Sequence, residues 1–184
     1  MSLRHGILGL LNYYDMSGYD LMKLFESSLS YFWHVRTSQI YLELNKMTED
    51  GLVISKTYIQ DSRPNKKIFT ITESGKNEFK NWIYNFNIKK SFSIKNEFLM
   101  MNFFLGEISR DEALKILENY KNQCEYELEK LKMTEDHIDV YKSKVNNEIA
   151  PIFWELTAKH GEMMYKSCLE WVDYSMKKLE KTDF

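Results

Sequence analysis

Residues 37–71 read TSQIYLELNKMTEDGLVISKTYIQDSRPNKKIFTI, and the period of the apolar positions changes in the middle of that stretch. Before the change, Ile40, Leu44 and Met47 fall four and three residues apart, the spacing of one face of a helix. Gly51 then stands where a chain leaving a helix favours a left-handed residue. From there Leu52-Val53-Ile54-Ser55-Lys56-Thr57-Tyr58-Ile59 is rich in β-branched residues, and Ile68-Phe69-Thr70-Ile71 repeats the pattern. Between these runs a polar turn, residues 60–67, carries Arg63, Pro64, Lys66 and Lys67. The stretch predicts an amphipathic helix followed at once by a β-hairpin with a long basic tip.

Two helices are expected in front of it. Leu3, Ile7, Leu8, Leu10 and Leu11 form a helix-spaced stripe. Asp15-Met16-Ser17-Gly18 reads as a turn, with Ser17 as N-cap of a helix through Tyr19, Leu21, Met22, Leu24 and Phe25. Behind the hairpin, Thr72 and Ser74 are both candidate caps for a helix through Phe79, Trp82 and Ile83. The order helix, helix, helix, strand, basic turn, strand is that of a winged helix-turn-helix.

Residues 84–93 are rich in Asn, Lys and Ser and read as a boundary. The expected division is a winged-helix domain at 1–85, a linker at 86–93 and a helical domain at 94–184. In that last part Ile94, Phe98, Met101 and Leu105 share a face, and Ser109 with Glu112 makes a capping box. A long helix follows with Leu117, Tyr120, Cys124, Leu128, Leu131, Ile138, Tyr141 and Val145, a seam like that of a coiled coil. Pro151 opens a final helix carrying Leu156, Met163, Cys168, Trp171, Val172 and Leu179. The fold class expected is mainly α: three helices with a β-hairpin wing, then an all-helical domain.

Three features of the first part bear on function. With Ile40, Leu44 and Met47 turned inward, the third helix presents Ser38, Leu42 and Asn45, flanked by Thr37, Gln39 and Tyr41. Short polar groups, an amide and an apolar side chain are what a helix uses to read base edges in a major groove. Arg63, Lys66 and Lys67 at the hairpin tip suit phosphates or a minor groove beside that site. Ser17 and Tyr19 stand at a helix N-terminus, whose N–H groups suit a phosphate.

Composition narrows the alternatives. Of 184 residues 43% are hydrophobic and 28% charged, as in a folded globular chain, and the net charge is −2. Residues 1–83 hold ten Lys and Arg against nine Asp and Glu, so any phosphate neutralisation must come from local placement. The two cysteines, Cys124 and Cys168, lack metal-ligand spacing and read as thiols in a reducing cytoplasm. No secretory leader or membrane-spanning run is apparent. The chain has no phosphate loop, no nucleophile elbow and no paired histidines, so neither an enzyme nor a cofactor is expected.

Leu3–Leu11, Ser17-Gly18-Tyr19-Asp20-Leu21, Ser38–Leu44, Glu49-Asp50-Gly51-Leu52-Val53, Arg63–Lys67 and Ile71-Thr72-Glu73-Ser74-Gly75 resemble successive signatures of the PadR family. They cover nearly all of residues 3–83, and Phe32-Trp33 also fits. The resemblance implies a homodimeric regulator, usually a repressor, whose winged helix binds double-stranded operator DNA. Ser38, Gln39, Tyr41 and the wing Arg and Lys match the family's DNA-contacting positions. The second half resembles the longer branch, whose C-terminal helices dimerise. Leu42 stands where family members often carry Pro, so no operator sequence carries over.

Some family members also respond to aromatic small molecules. Trp33, Tyr120, Trp154 and Tyr165, with His160 as partner for a carboxylate, are the effector residues this resemblance points to. A dimer fits the physical need as well, since two half-sites about 34 Å apart specify more sequence than one. The competing reading is a winged helix used for protein–protein contact, which the weak net charge favours.

Overall fold

The computed structural model describes residues 2–29, 32–59, 66–92 and 95–182, which fall into two compact units, Met1–Phe86 with His137–Ile152 and Asn87–Asp136 with Phe153–Phe184. The first unit contains α1 (Ser2–Leu11), β1 (Met16–Ser17), α2 (Gly18–Ser28), α3 (Thr37–Glu49), β2 (Val53–Tyr58), β3 (Lys66–Ile71) and α4 (Glu73–Tyr84). Its three strands form an antiparallel sheet in the order β1-β3-β2. Expected and observed elements agree closely over residues 37–59, β3 starts two residues before the expected strand, and the turn at residues 60–65 lies outside the described residues. The first strand, Met16–Ser17, stands where the sequence predicts only a turn. Two residues are too few to show a period, and this strand exists because β3 offers it a partner at Phe69 and Ile68.

One core holds this unit together. Ile7, Leu8 and Leu11 of α1, Leu21 and Phe25 of α2, Ile40, Leu44 and Met47 of α3, and Val53 and Phe69 of the sheet are all buried in it. Arg4 of α1 pins α3 at both ends of its reach, with Nε 2.7 Å from Glu43 and Nη2 2.8 Å from Asp50. Gly51 has φ 70°, a conformation that a residue without Cβ adopts freely, and it lets the chain turn from α3 into β2. Of the two candidate caps for α4, Thr72 does the capping. Its hydroxyl accepts from the Gly75 amide at 3.1 Å and lies 2.8 Å from the Gly51 carbonyl oxygen, joining α4 to the exit of α3.

His137–Ile152 groups with the first unit, because the apolar ring of Tyr141 packs against the winged-helix core.

The second unit holds 3₁₀ turns at Ile88–Phe92 and Leu105–Glu107, α5 (Glu97–Phe103) and most of α6 (Arg110–Lys142) and α7 (Ala150–Glu180). The Ser109–Glu112 capping box forms, with the Ser109 hydroxyl donating to Glu112 at 2.6 Å. Leu117, Cys124 and Leu131 are buried on α6 and Ala158 and Val172 on α7. Lys121 and Asp173 tie the two helices at 2.7 Å. Phe98 of α5 stacks on Tyr120 at 3.7 Å between ring centroids, and Trp171 meets both edge-on. Leu105 lies in a 3₁₀ turn rather than on α5, and Val145 lies beyond the end of α6. Ile94 and the Ile138 side chain are outside the described residues.

Candidate nucleic-acid interface

The recognition-type helix α3 has the two faces its sequence predicts. Ile40, Leu44 and Met47 are fully buried, whereas Thr37, Ser38, Gln39, Tyr41, Leu42 and Asn45 are exposed, Leu42 by 57%. Leu42 buries nothing within this unit's core, so its apolar surface faces outward. Gln39 is partly committed: its Oε1 accepts from the Arg36 amide at 2.9 Å, leaving its NH₂ as the outward donor. The Thr37 hydroxyl lies 2.9 Å from the Met22 sulfur, a contact between the start of α3 and α2.

At the start of α2, Ser17 is the N-cap that the sequence predicts. It is buried, and its hydroxyl is spent inside the element: it donates to Asp20 Oδ2 at 2.7 Å and accepts from the Asp20 amide at 3.1 Å. A hydroxyl so engaged serves as a cap rather than as an open phosphate ligand. Tyr19 beside it is half exposed, with the Lys23 ammonium 4.8 Å from its ring centre. Gly18 lies under the Tyr41 ring of α3, so a side chain there would have to displace that ring.

The wing cations divide three ways. Arg63 is outside the described residues. Lys66 pairs with Asp20 at 3.2 Å. Lys67 is exposed, its ammonium 5.2 Å from the centre of the Phe69 ring. Burial pushes the Asp20 carboxyl up, but the Ser17 hydroxyl, Lys66 and the Ser17 amide outweigh it and hold the group below the usual carboxylate range.

Two cations near this surface were missed in the sequence reading. Arg36 is exposed at the N-cap of α3, and Lys23 is exposed on α2 against Tyr19. The four-residue spacing of Tyr19 and Lys23 was the available signal for the second.

The residues expected to hold an effector are split between the two units. Trp33 belongs to the first unit and is partly exposed. In the second unit, Tyr120 and Tyr165 come together with Cys124 and Cys168. Burial, and then hydrogen bonding with Cys168 and Cys124, pushes the Tyr120 hydroxyl far above its ordinary pKa, and burial likewise raises Tyr165 and Cys124. Trp154 is half-buried on α7 and His160 is exposed. A separate groove of about 550 Å³ in the second unit is lined by Asn102, Leu105, Leu117, Tyr174, Lys178 and neighbours, none of them among the expected residues.

A helix-turn-helix whose third helix is apolar on one face and open on the other, with a hairpin wing beside it, makes this a winged-helix protein. Residues 7–81 match the family described as transcriptional regulator PadR-like, and residues 94–180 match the C-terminal family of virulence activator alpha. The negative transcriptional regulator PadR of Bacillus subtilis is 39% identical over 111 residues, which span 60% of this chain and 60% of that regulator, less than two thirds of either. The structure of Bacillus subtilis PadR in complex with operator DNA superposes with a TM-score of 0.81 at 28% identity, covering 97% of this chain and 99% of that one. The same regulator's structure in complex with p-coumaric acid superposes at 0.75 with 26% identity, covering 98% and 100%. Residues 7–81 thus carry a PadR-like transcriptional regulator domain, and the regulators it resembles are not enzymes.

Proposed function

We propose that this chain is a homodimeric repressor that reads an operator with its two winged helices and is released by a small aromatic effector. The observation that carries the DNA reading is the outward face of α3. Thr37, Ser38, Gln39, Tyr41, Leu42 and Asn45 are exposed directly behind a fully buried Ile40, Leu44 and Met47. That arrangement lets a helix enter a major groove without disturbing its own core. Lys67 and Arg63 supply the wing's cations, and Arg36 at the N-cap of α3 and Lys23 on α2 add charge. The operator-DNA complex of the Bacillus subtilis relative supports the same assignment.

Dimerisation is supported by surface that one copy leaves uncovered. In the second unit Phe103, Phe104, Phe153, Leu156 and Met163 are all more than half exposed. Large apolar side chains left exposed in this number favour a contact surface, and a two-fold pair needs a self-complementary one. The effector reading draws on the relative's complex with p-coumaric acid. Tyr120, stacked on Phe98, and Tyr165, which shares the neighbours Cys124 and Cys168 with it, are the phenols of the second unit this reading assigns to the effector. An effector acts only through unequal affinity for the DNA-bound and DNA-free arrangements.

Fluorescence anisotropy with a labelled duplex from upstream of the chain's own gene tests the DNA reading. Binding should resist random competitor, weaken steeply with salt and fall in Arg63→Ala combined with Lys67→Ala. Binding no tighter than to random duplex would favour a winged helix used for protein contact. Phenolic acids should raise the melting temperature and release the duplex over the same concentration range; stabilisation without release would remove the effector role.

A further inference from the structure

The corner formed by Ser17, Gly18 and Asp20 is held from two sides. On the wing side, β3 pairs with β1 through Met16↔Phe69 and Ser17↔Ile68, and two residues further along β3 the Lys66 ammonium lies 3.2 Å from Asp20 Oδ2. On the α3 side, the Tyr41 ring covers Gly18 so closely that a Cβ there would stand 2.5 Å from a ring carbon. The Asp20 carboxylate is itself fixed, because Oδ2 accepts from the Ser17 hydroxyl at 2.7 Å and from the Ser17 amide at 3.3 Å. A lysine paired with an anchored carboxylate projects little net charge and must break that pair to bind a phosphate. The next residue differs. Lys67 is exposed and is in no ion pair among the described residues.

Resting on the DNA-binding reading, we propose that Lys66 is a positioning residue: its ion pair with Asp20 fixes the wing against the start of α2, and through Gly18 and Tyr41 against α3. Phosphate contact at the described base of the wing falls to Lys67. The two roles differ in what they do to salt dependence. Each phosphate neutralised contributes about 0.9 to the slope of log affinity against log salt. Losing a positioning contact changes the fit to the operator and leaves the number of neutralised phosphates as it was.

The test uses the full chain in anisotropy titrations, from roughly 50 to 200 mM salt, with the upstream duplex and a random duplex. Lys67→Met should lower the slope by about 0.9 on both duplexes. Lys66→Met should keep the slope, weaken the upstream duplex on the order of tenfold and leave random binding almost unchanged. Lys66→Arg should restore affinity, because the arginine can still reach Asp20. Asp20→Asn combined with Lys66→Met should bind no more weakly than the worse single variant. If Asp20→Asn costs too much helix cap to fold, Lys66→Met against Lys66→Arg carries the comparison alone. A slope loss in Lys66→Met equal to that in Lys67→Met overturns the proposal. So does an Asp20→Asn protein that binds more tightly with a steeper slope, because that would mean Asp20 had been withholding Lys66 from the DNA. Failure of the DNA-binding reading would show separately, in a wild-type chain that does not prefer the upstream duplex.

Discussion

At Gly75 a Cβ would stand 2.2 Å from the Leu52 carbonyl oxygen, and at Gly18 it would stand 2.5 Å from the Tyr41 ring. The distances are similar but the obstacles are not. Leu52 is backbone at the junction of α3 and β2, fixed by hydrogen bonds from Thr72, and cannot move aside. Gly75→Ala should therefore cost about 1–3 kcal/mol or more, read as a lower urea midpoint. Tyr41 is a half-exposed side chain that can rotate away. Gly18→Ala should cost less stability than Gly75→Ala and show its larger effect in operator affinity, since the displaced ring lies on the reading face. Equal stability losses would contradict this. The Asp20 carboxyl makes a further prediction. Its folded pKa is held below the unfolded value of about 3.9. The stability it contributes is therefore fully present above about pH 4 and lost as the pH falls through the lower folded value. Asp20→Asn should flatten the acid limb of a stability–pH curve below about pH 4, and an unaltered limb would exclude the linkage.

At the scale of elements, α3 separates stability from the proposed recognition. Leu44 is fully buried and Leu42 is mostly exposed, although they are only two residues apart. Leu44→Ala should cost about 2–5 kcal/mol. Leu42→Ala should stay within about 0.5 kcal/mol in stability while changing the preference among operator sequences, measured by competition between duplexes. This division was legible in the sequence, because a helix with one apolar face announces which side it buries. The cap of α4 was not. Thr72 and Ser74 are chemically equivalent in the sequence, and only the approach of the Gly51 and Leu52 carbonyl oxygens selects Thr72. Nor was β1, whose ladder partners lie some fifty residues further along the chain.

For the whole molecule, the proposed dimer makes DNA affinity depend on a surface that touches no DNA. Leu156 and Met163 are exposed on α7, seven residues and so two helical turns apart. Leu156→Asp combined with Met163→Asp should sediment as a 22.1 kDa monomer, with an unchanged circular dichroism spectrum and greatly weakened operator binding. Dimeric behaviour retained in that variant would place the interface elsewhere. The effector residues show how far a sequence goes at this scale. Aromatic residues could be named, but Tyr120 and Tyr165 share Cys124 and Cys168 as neighbours only because of how α6 and α7 pack, while Trp33 belongs to the other unit.

The sequence by itself determined the winged helix, the buried face of α3 and the cap at Ser17, because each is written in a local period or a local hydrogen-bonding pattern. Tertiary structure alone decided what those residues are free to do. The Ser17 hydroxyl is occupied by Asp20, Lys66 is occupied by the same carboxylate, and Tyr141 packs on a core that lies far from it in the chain. A side chain's availability depends on neighbours remote in sequence, and composition and spacing carry no record of them.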